Sequence, residues 1–286
     1  MGVVDRPTPQ PRLASSDPRP PRRPSAIGVR CLGAVASALA AVADLALPLL
    51  CGGCATAGTP WCPECAHALA HATAYPRIVA GRAGTAAAPD GAVFAAGRYE
   101  GVLRSALVAY KDHGRRDLLD VLATPLRSSF VAAVALRPEL GRTPVVVPAP
   151  SSVRSRRRRG DVPTALLARR ALSGADVLTG RTWVWAPLLR HVRAVDDQAG
   201  LSRWQRARNT DHAFVVVDPS TGRLWRGRPR GRPGPHPLVG RDVVVVDDVV
   251  TTGATARECV RALREIGARP VAVVALAATP AAQRGT

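Results

Sequence analysis

The strongest apolar signal in the chain is Val243-Val244-Val245-Val246, inside the run 241–246. Four consecutive β-branched residues with no polar alternation predict a parallel strand buried on both faces. Residues 271–277 predict a second buried strand, and 144–147 and 214–217 two shorter ones. Helical spacing appears over 104–111, 161–173 and 255–266. Pro163 stands near the first turn of the middle helix, where its missing N–H costs little. Gly267 stands just past the last helix, where a left-handed cap is expected. Strands alternating with helices predict an α/β domain over 92–280, a parallel sheet flanked by helices.

Ahead of that domain the pattern fails. Residues 1–25 hold seven prolines and five arginines with almost no apolar periodicity, and read as a disordered tail. Residues 26–50 are apolar but Ala-rich and broken by Arg30 and Asp44, so no uninterrupted run reaches membrane-spanning length. The arginines before them and their A-x-A triplets imitate a secretory signal. The reading adopted is a soluble helix leading into a cysteine segment, together 26–71, with no membrane span. Residues 72–91, rich in Gly and Ala, read as a linker, 220–237 as a basic insertion loop, and 281–286 as a tail.

Composition narrows the class. Apolar residues make up 47% of the 286 positions, which excludes wholesale disorder. Eleven aromatics leave most of the core to Ala, Val and Leu. Forty Lys and Arg against 21 Asp and Glu give +19, which predicts an anionic partner, phosphates or nucleic acid. All but one of the forty are arginine; the exception is Lys111.

Cys51, Cys54, Cys62 and Cys65 form C-x2-C-x7-C-x2-C. Each pair can set two thiolates on one face of a tight turn, with Gly52 and Gly53 relieving the first and Pro63 shaping the second. Four converging thiolates suit a structural, tetrahedral Zn2+ site, with disulfides or free thiols as the alternatives. His67 and His71 lie close enough to replace one ligand. Paired C-x2-C in a chain read as signal-free points to a reducing compartment, the cytoplasm. Cys31 and Cys259 read as ordinary small apolar residues.

The four valines run into Asp247-Asp248-Val249-Val250-Thr251-Thr252-Gly253-Ala254-Thr255. A buried strand thus ends in two carboxylates and a hydroxyl-rich loop that opens a helix. Ligands of such sheets bind beyond the carboxyl ends of the strands. Helix-start N–H groups with the hydroxyls of Thr251, Thr252 and Thr255 form a phosphate pocket, and Gly253 allows close backbone approach. Two acids beside a phosphate need another target, and sugar hydroxyls or Mg2+ are the sensible ones. A Walker loop would need a different spacing and a lysine.

These thirteen consecutive positions match the phosphoribosyl pyrophosphate (PRPP) motif of type I phosphoribosyltransferases. Further segments resemble ComF proteins, the competence-associated relatives: Tyr99-Glu100-Gly101-Val102-Leu103-Arg104 with Lys111 following; Val147-Pro148-Ala149-Pro150-Ser151 with an arginine cluster and Gly160; Gln198-x2-Leu201-Ser202-x3-Arg206-x2-Asn209; and Asp44-Leu45-Ala46-Leu47-Pro48 before the cysteines. The resemblance covers about 44–280 in the right order. One departure is Asp161-Val162-Pro163, where the family often has Phe-Asn-Gln.

The resemblance implies a type I phosphoribosyltransferase-like fold that binds PRPP with Mg2+. Asp247 and Asp248 would hold the ribose hydroxyls, and Thr251, Thr252, Gly253, Ala254 and Thr255 the 5′-phosphate. Loss of pyrophosphate builds positive charge on the sugar and negative charge on the leaving group, so cations are needed around it. Ser151, Arg154, Arg156 and Lys111 are the pyrophosphate-side candidates. Arg193 and Arg206, with Arg190, stand on a second loop able to exclude water. No aromatic follows Trp225 to stack a purine, which leaves the acceptor undefined; Trp183, Trp185 and Trp204 serve either there or as packing.

A non-catalytic alternative stays open: a PRPP sensor or accessory protein of DNA uptake that binds nucleic acid through Arg154–Arg159 and Arg226–Arg232. The second segment contains Pro-Arg-Gly-Arg-Pro, which resembles a minor-groove AT-hook, or is a compositionally biased insertion.

Overall fold

The computed structural model describes residues 49–80, 92–150, 162–192, 212–219, 222, 224–225 and 235–279. The chain divides into two compact units, Met1–Pro48 and Leu49–Thr286. The first lies outside the described residues, and with it the tail and the helix expected over 26–48; the tail at 281–286 lies outside them too. All that follows concerns the second.

Its centre is the predicted valine strand, β7 (Asp242–Val250). Parallel neighbours flank it: β8 (Arg269–Ala278) on one side and β3 (Val145–Pro148) on the other. The sheet extends to β2 (Ala92–Arg98) beyond β8, also parallel, and to β4 (Val184–Trp185) beyond β3. The order is β1-β2-β8-β7-β3-β4, and only β1 (Arg77–Ala80) runs antiparallel. Strand β1 lies within the stretch read as a linker; four residues, Arg-Ile-Val-Ala, are too short a run for their pattern to stand out.

Alternation along β7 explains why the run had to be apolar throughout. Val244 and Val246 pack with α2 (Gly101–Asp112), α3 (Leu119–Leu136) and α4 (Pro163–Leu172). Val243 and Val245 face α6 (Ala254–Glu265) and the separate antiparallel pair β5 (Leu189–His191) and β6 (Phe214–Val216). Successive side chains point to opposite faces, and both faces are covered.

Helix α6 ends as its sequence predicts. Gly267 adopts φ +80°, its N–H reaches Arg264 O at 2.9 Å, and Ala268 N reaches Leu263 O at 3.1 Å. These two bonds make a Schellman cap, which a glycine enters without a Cβ penalty. Two short elements complete the unit, α1 (Pro63–Ala72) and α5 (Ala175–Thr179).

Helix α3 has no counterpart in the sequence reading. Its apolar residues surround the axis and Pro125 interrupts it, so no clear 3.6-residue stripe emerges. With the 3-10 turn before it, Arg116–Leu136 is long and apolar enough to cross a membrane. Here it lies on the sheet: Leu122, Leu126 and Phe130 are buried, and Ser129 donates to Ala275 O at 3.0 Å.

The cysteine segment belongs to the same unit. A Cβ on Gly52 would stand 2.5 Å from Leu118 Cδ1, and one on Gly53 2.5 Å from Cys65 Sγ and 3.0 Å from Val102 Cγ2. The two glycines therefore let the knuckle seat directly on α2 and the start of α3. Arg115 fastens it, donating to Leu50 O at 2.6 Å and Pro60 O at 3.2 Å.

Phe130 fills the core between α3 and Trp183, ring centroids 5.2 Å apart and edge to face. Phe130→Ala is expected to cost about 3–5 kcal/mol, read from the shift of the urea unfolding midpoint; a loss below about 1 kcal/mol would show that this packing is not critical.

Candidate functional site

Strand β7 carries its last residues to the carboxyl edge of the sheet, where Thr251-Thr252-Gly253 turn the chain into α6. Gly253 has φ +72°, a conformation that favours glycine, and offers no side-chain cap to the helix. The first-turn N–H groups of a twelve-residue helix are thus directed at whatever sits on the loop. The loop is braced from behind: Thr279 N donates to Val250 O at 3.0 Å and its hydroxyl to Thr251 O at 2.9 Å. Thr252 Oγ1 accepts Ala254 N at 3.4 Å, and Arg257 reaches Thr252 O at 3.3 Å. Thr251 is exposed, Thr252, Gly253 and Thr255 half-buried, and Ala254 buried.

The two acids before this loop are not equivalent. Asp248 is buried, 5% exposed, and its Oδ2 takes Lys111 Nζ at 2.7 Å and Thr164 Oγ1 at 2.5 Å. Asp247 is half-buried, and its Oδ1 accepts the N–H of Asp248 at 2.8 Å. Their charge states differ accordingly. Burial pushes Asp247 up, the Asp248 carboxylate adds to this, and Lys111 only partly opposes, so its carboxyl stands at about 7. Burial acts on Asp248 too, but the Lys111 ammonium and the Thr164 hydroxyl outweigh it and hold that carboxyl below its ordinary range.

Sequence grouped Lys111 with the pyrophosphate-side residues; its ammonium meets Asp248. Thr164 was not anticipated: it is 84 residues from its partner, and a hydroxyl after Pro163 reads as a helix start. The other candidates are distributed less informatively. Ser151, Arg154, Arg156, Arg193, Arg206, Trp204 and the segment Arg226–Arg232 lie outside the described residues. Arg190 donates to the Pro187 and Leu189 carbonyls at 2.7 and 3.0 Å. Trp183 and Trp185 line a separate cleft of about 290 Å³ with Arg169, Leu172, Ser173, Asp176 and Thr182.

The four knuckle cysteines converge so that their sulfurs lie within 4.8 Å of one another. Cys62 Sγ stands 3.6 Å from both Cys51 Sγ and Cys54 Sγ. Tetrahedral zinc with bonds of about 2.3 Å sets its sulfurs about 3.8 Å apart, whereas a disulfide needs about 2.0 Å. The donor set therefore fits a metal ion. Backbone donors complete it: Gly53 N and Cys62 N point at Cys51 Sγ at 3.5 and 3.4 Å, and Cys65 N at Cys62 Sγ at 3.4 Å. Burial raises the Cys51 thiol, but the backbone N–H groups of Cys54, Cys62 and Gly53 prevail and lower it to about 6. Cys259, by contrast, is buried in α6.

A family model described as the phosphoribosyl transferase domain matches residues 190–284, the stretch that runs from within β5 through β8 and includes the threonine loop. Among curated proteins, "Transcriptional regulator GfcR 2" of Methanosarcina barkeri (strain Fusaro / DSM 804) is 54% identical over 39 residues, 14% of this chain and 19% of its own length. "Transcriptional regulator GfcR 1" of the same organism is 51% identical over the same shares. So is "Transcriptional regulator GfcR" of Methanosarcina mazei (strain ATCC BAA-159 / DSM 3647 / Goe1 / Go1 / JCM 11833 / OCM 88). The chain spans about a fifth of the length of these relatives. The molecule thus combines a phosphoribosyltransferase-type α/β domain with a cysteine cluster able to hold a metal ion.

Two measurements follow from the geometry. A raised Asp247 stabilises the fold while protonated; that contribution is present below its ordinary 3.8 and is lost as pH rises through about 7. Asp248, held low, gives the opposite dependence only in the acid range. Asp247→Asn is therefore expected to gain in Tm relative to the unaltered protein between about pH 5 and about pH 8; parallel Tm curves would refute this. Protein purified without added zinc is expected to carry about one zinc per chain. Elemental analysis finding no metal would remove the centre.

Proposed function

We propose that this protein binds PRPP with Mg2+ at the carboxyl end of β7 and transfers its phosphoribosyl group to an acceptor not yet known. One observation carries the reading: two adjacent carboxylates, Asp248 buried and Asp247 half-buried, beside a glycine-turned threonine loop at the start of a helix. The helix N–H groups and the threonine hydroxyls suit the 5′-phosphate dianion. Asp247, the more accessible acid, suits ribose hydroxyls, and its hard oxygens also fit Mg2+, which takes one or two carboxylates along with substrate phosphates. Bound there, the ion would neutralise charge on the departing pyrophosphate. Ser151, Arg154, Arg156, Arg193 and Arg206 are the residues we assign to the leaving group, on charge grounds alone. The resemblance of the segments around Tyr99, Ser151 and Gln198 to ComF proteins supports a role in the competence-associated branch. Four reduced thiolates favour the cytoplasm.

A second reading has its own support. The curated relatives are named as transcriptional regulators, and the formal charge of +19 exceeds what one phosphorylated ligand needs. In that reading PRPP is sensed rather than consumed, and Arg154–Arg159 and Arg226–Arg232 contact DNA.

Labelled PRPP with Mg2+ is expected to bind, and Asp248→Asn combined with Thr252→Val to abolish binding; unchanged affinity in that double variant would defeat the site. Pyrophosphate release with any of a panel of bases, amines and oligonucleotides would establish transfer. Binding without release, together with DNA affinity that falls with salt and on deletion of residues 222–235, would favour the sensor.

A further inference from the structure

Two neighbouring residues of α2 meet two neighbouring residues of α4 beside the end of β7. Tyr110, fully buried, donates its hydroxyl to Pro163 O at 3.0 Å. Lys111 and Thr164 both reach a single oxygen, Oδ2 of Asp248, at 2.7 and 2.5 Å. Pro163 begins α4, so its carbonyl and the Thr164 side chain are set by the first helical turn. The chain thereby knots three elements around one carboxylate. Asp248 is thus held on one oxygen from two helices, by Lys111 of α2 and Thr164 of α4.

A carboxylate with 5% exposure and these partners is poorly placed to reach out to a sugar. Asp247 differs: it is more accessible and takes the N–H of Asp248 on Oδ1. The bond from Asp248 N to Asp247 Oδ1 links the two, so a shift of Asp248 moves the partner of Asp247. Removing Lys111 would leave a buried charge without its counter-ion, and the group would swing or take up a proton.

We propose that Lys111 and Thr164 are positioning residues: they lock Asp248 inward and thereby aim Asp247 as the ribose-facing acid. This rests on the PRPP reading above. It removes Lys111 from the pyrophosphate-side set and adds Thr164, which stands one residue past the segment where the sequence departs from ComF proteins.

Ligand dissection tests it. Titration calorimetry on the full-length protein would compare ribose 5-phosphate, PRPP and inorganic pyrophosphate, each with Mg2+. Lys111→Met and Thr164→Val are each expected to weaken ribose 5-phosphate and PRPP by the same factor, about tenfold, and to leave pyrophosphate unchanged. Thr164→Ser, which keeps the hydroxyl, is expected to bind as the unaltered protein does. If Lys111→Met weakens only PRPP and pyrophosphate, Lys111 is a leaving-group cation and the proposal falls. It also falls if Thr164→Val binds ribose 5-phosphate normally, or if Thr164→Ser fails to restore it. An unaltered protein that binds neither ribose 5-phosphate nor PRPP would overturn the PRPP reading itself, a result recognisable before any variant is made.

Discussion

The contact between Lys111 and Asp248 is the constraint to which the surrounding structure answers. Two adjacent carboxylates at the end of a buried central strand repel each other and lose hydration, and one of them needs a cation within contact distance. The only lysine in the sequence supplies it at 2.7 Å. For Lys111 to arrive there, α2 must lie close across the sheet edge. Tyr110 fixes that approach against Pro163 O at 3.0 Å, and Arg116 holds the C-terminal end of α2 through Tyr110 O at 2.8 Å and the Tyr110 ring at 4.9 Å.

The same short stretch of chain joins the candidate site to the cysteine knuckle. Four residues beyond Lys111, Arg115 pairs with Asp117 at 2.7 Å and holds the Leu50 and Pro60 carbonyls of the knuckle. Val102, at the other end of α2, packs against the cysteine cluster, and Leu118 meets Gly52. A metal ion in the knuckle would therefore stiffen the surface on which α2 rests. Such a small segment buries little apolar surface of its own, so four metal–sulfur bonds are an economical way to give it a fixed shape. In this arrangement the cysteine cluster bears on α2, the helix that carries Lys111 to Asp248.

How much of this the sequence disclosed depends on how local each feature is. The unit β7–loop–α6 was legible because strand, acids, loop and helix are contiguous, and the fully buried valines allow no other reading. The cysteine spacing was legible for the same reason. Helix α3 was not: apolar residues surround its axis and Pro125 breaks the pattern. Strand β1 was too short to register. The pairing of Thr164 with Asp248 spans 84 residues, and no local periodicity reports a contact of that range. Lys111 was conspicuous by its type, but its contact with Asp248 was not legible, because sequence gives the residue and not the direction of its helix face.

The formal charge of +19 loses part of its force once the arginines have places. Many of those described are structural. Arg261 reaches buried Glu258 at 2.7 Å and Phe214 O at 3.0 Å, while Glu258 accepts Phe214 N at 3.1 Å, so one ion pair pins β6 to α6. Arg269 pairs with Asp242, which also takes Gly141 N at 2.8 Å, and Arg241 holds Thr143 O at 3.0 Å. Guanidinium groups suit this work because their fixed, multiple donors can satisfy a carboxylate and a carbonyl together. A protein that uses arginine as a fastener accumulates positive charge wherever carbonyls rather than acids receive it. Net charge alone therefore does not separate a nucleic-acid partner from a phosphorylated ligand. The arginines that bear on that question are those clustered at 154–159 and 226–232, where six residues carry five arginines and seven carry four.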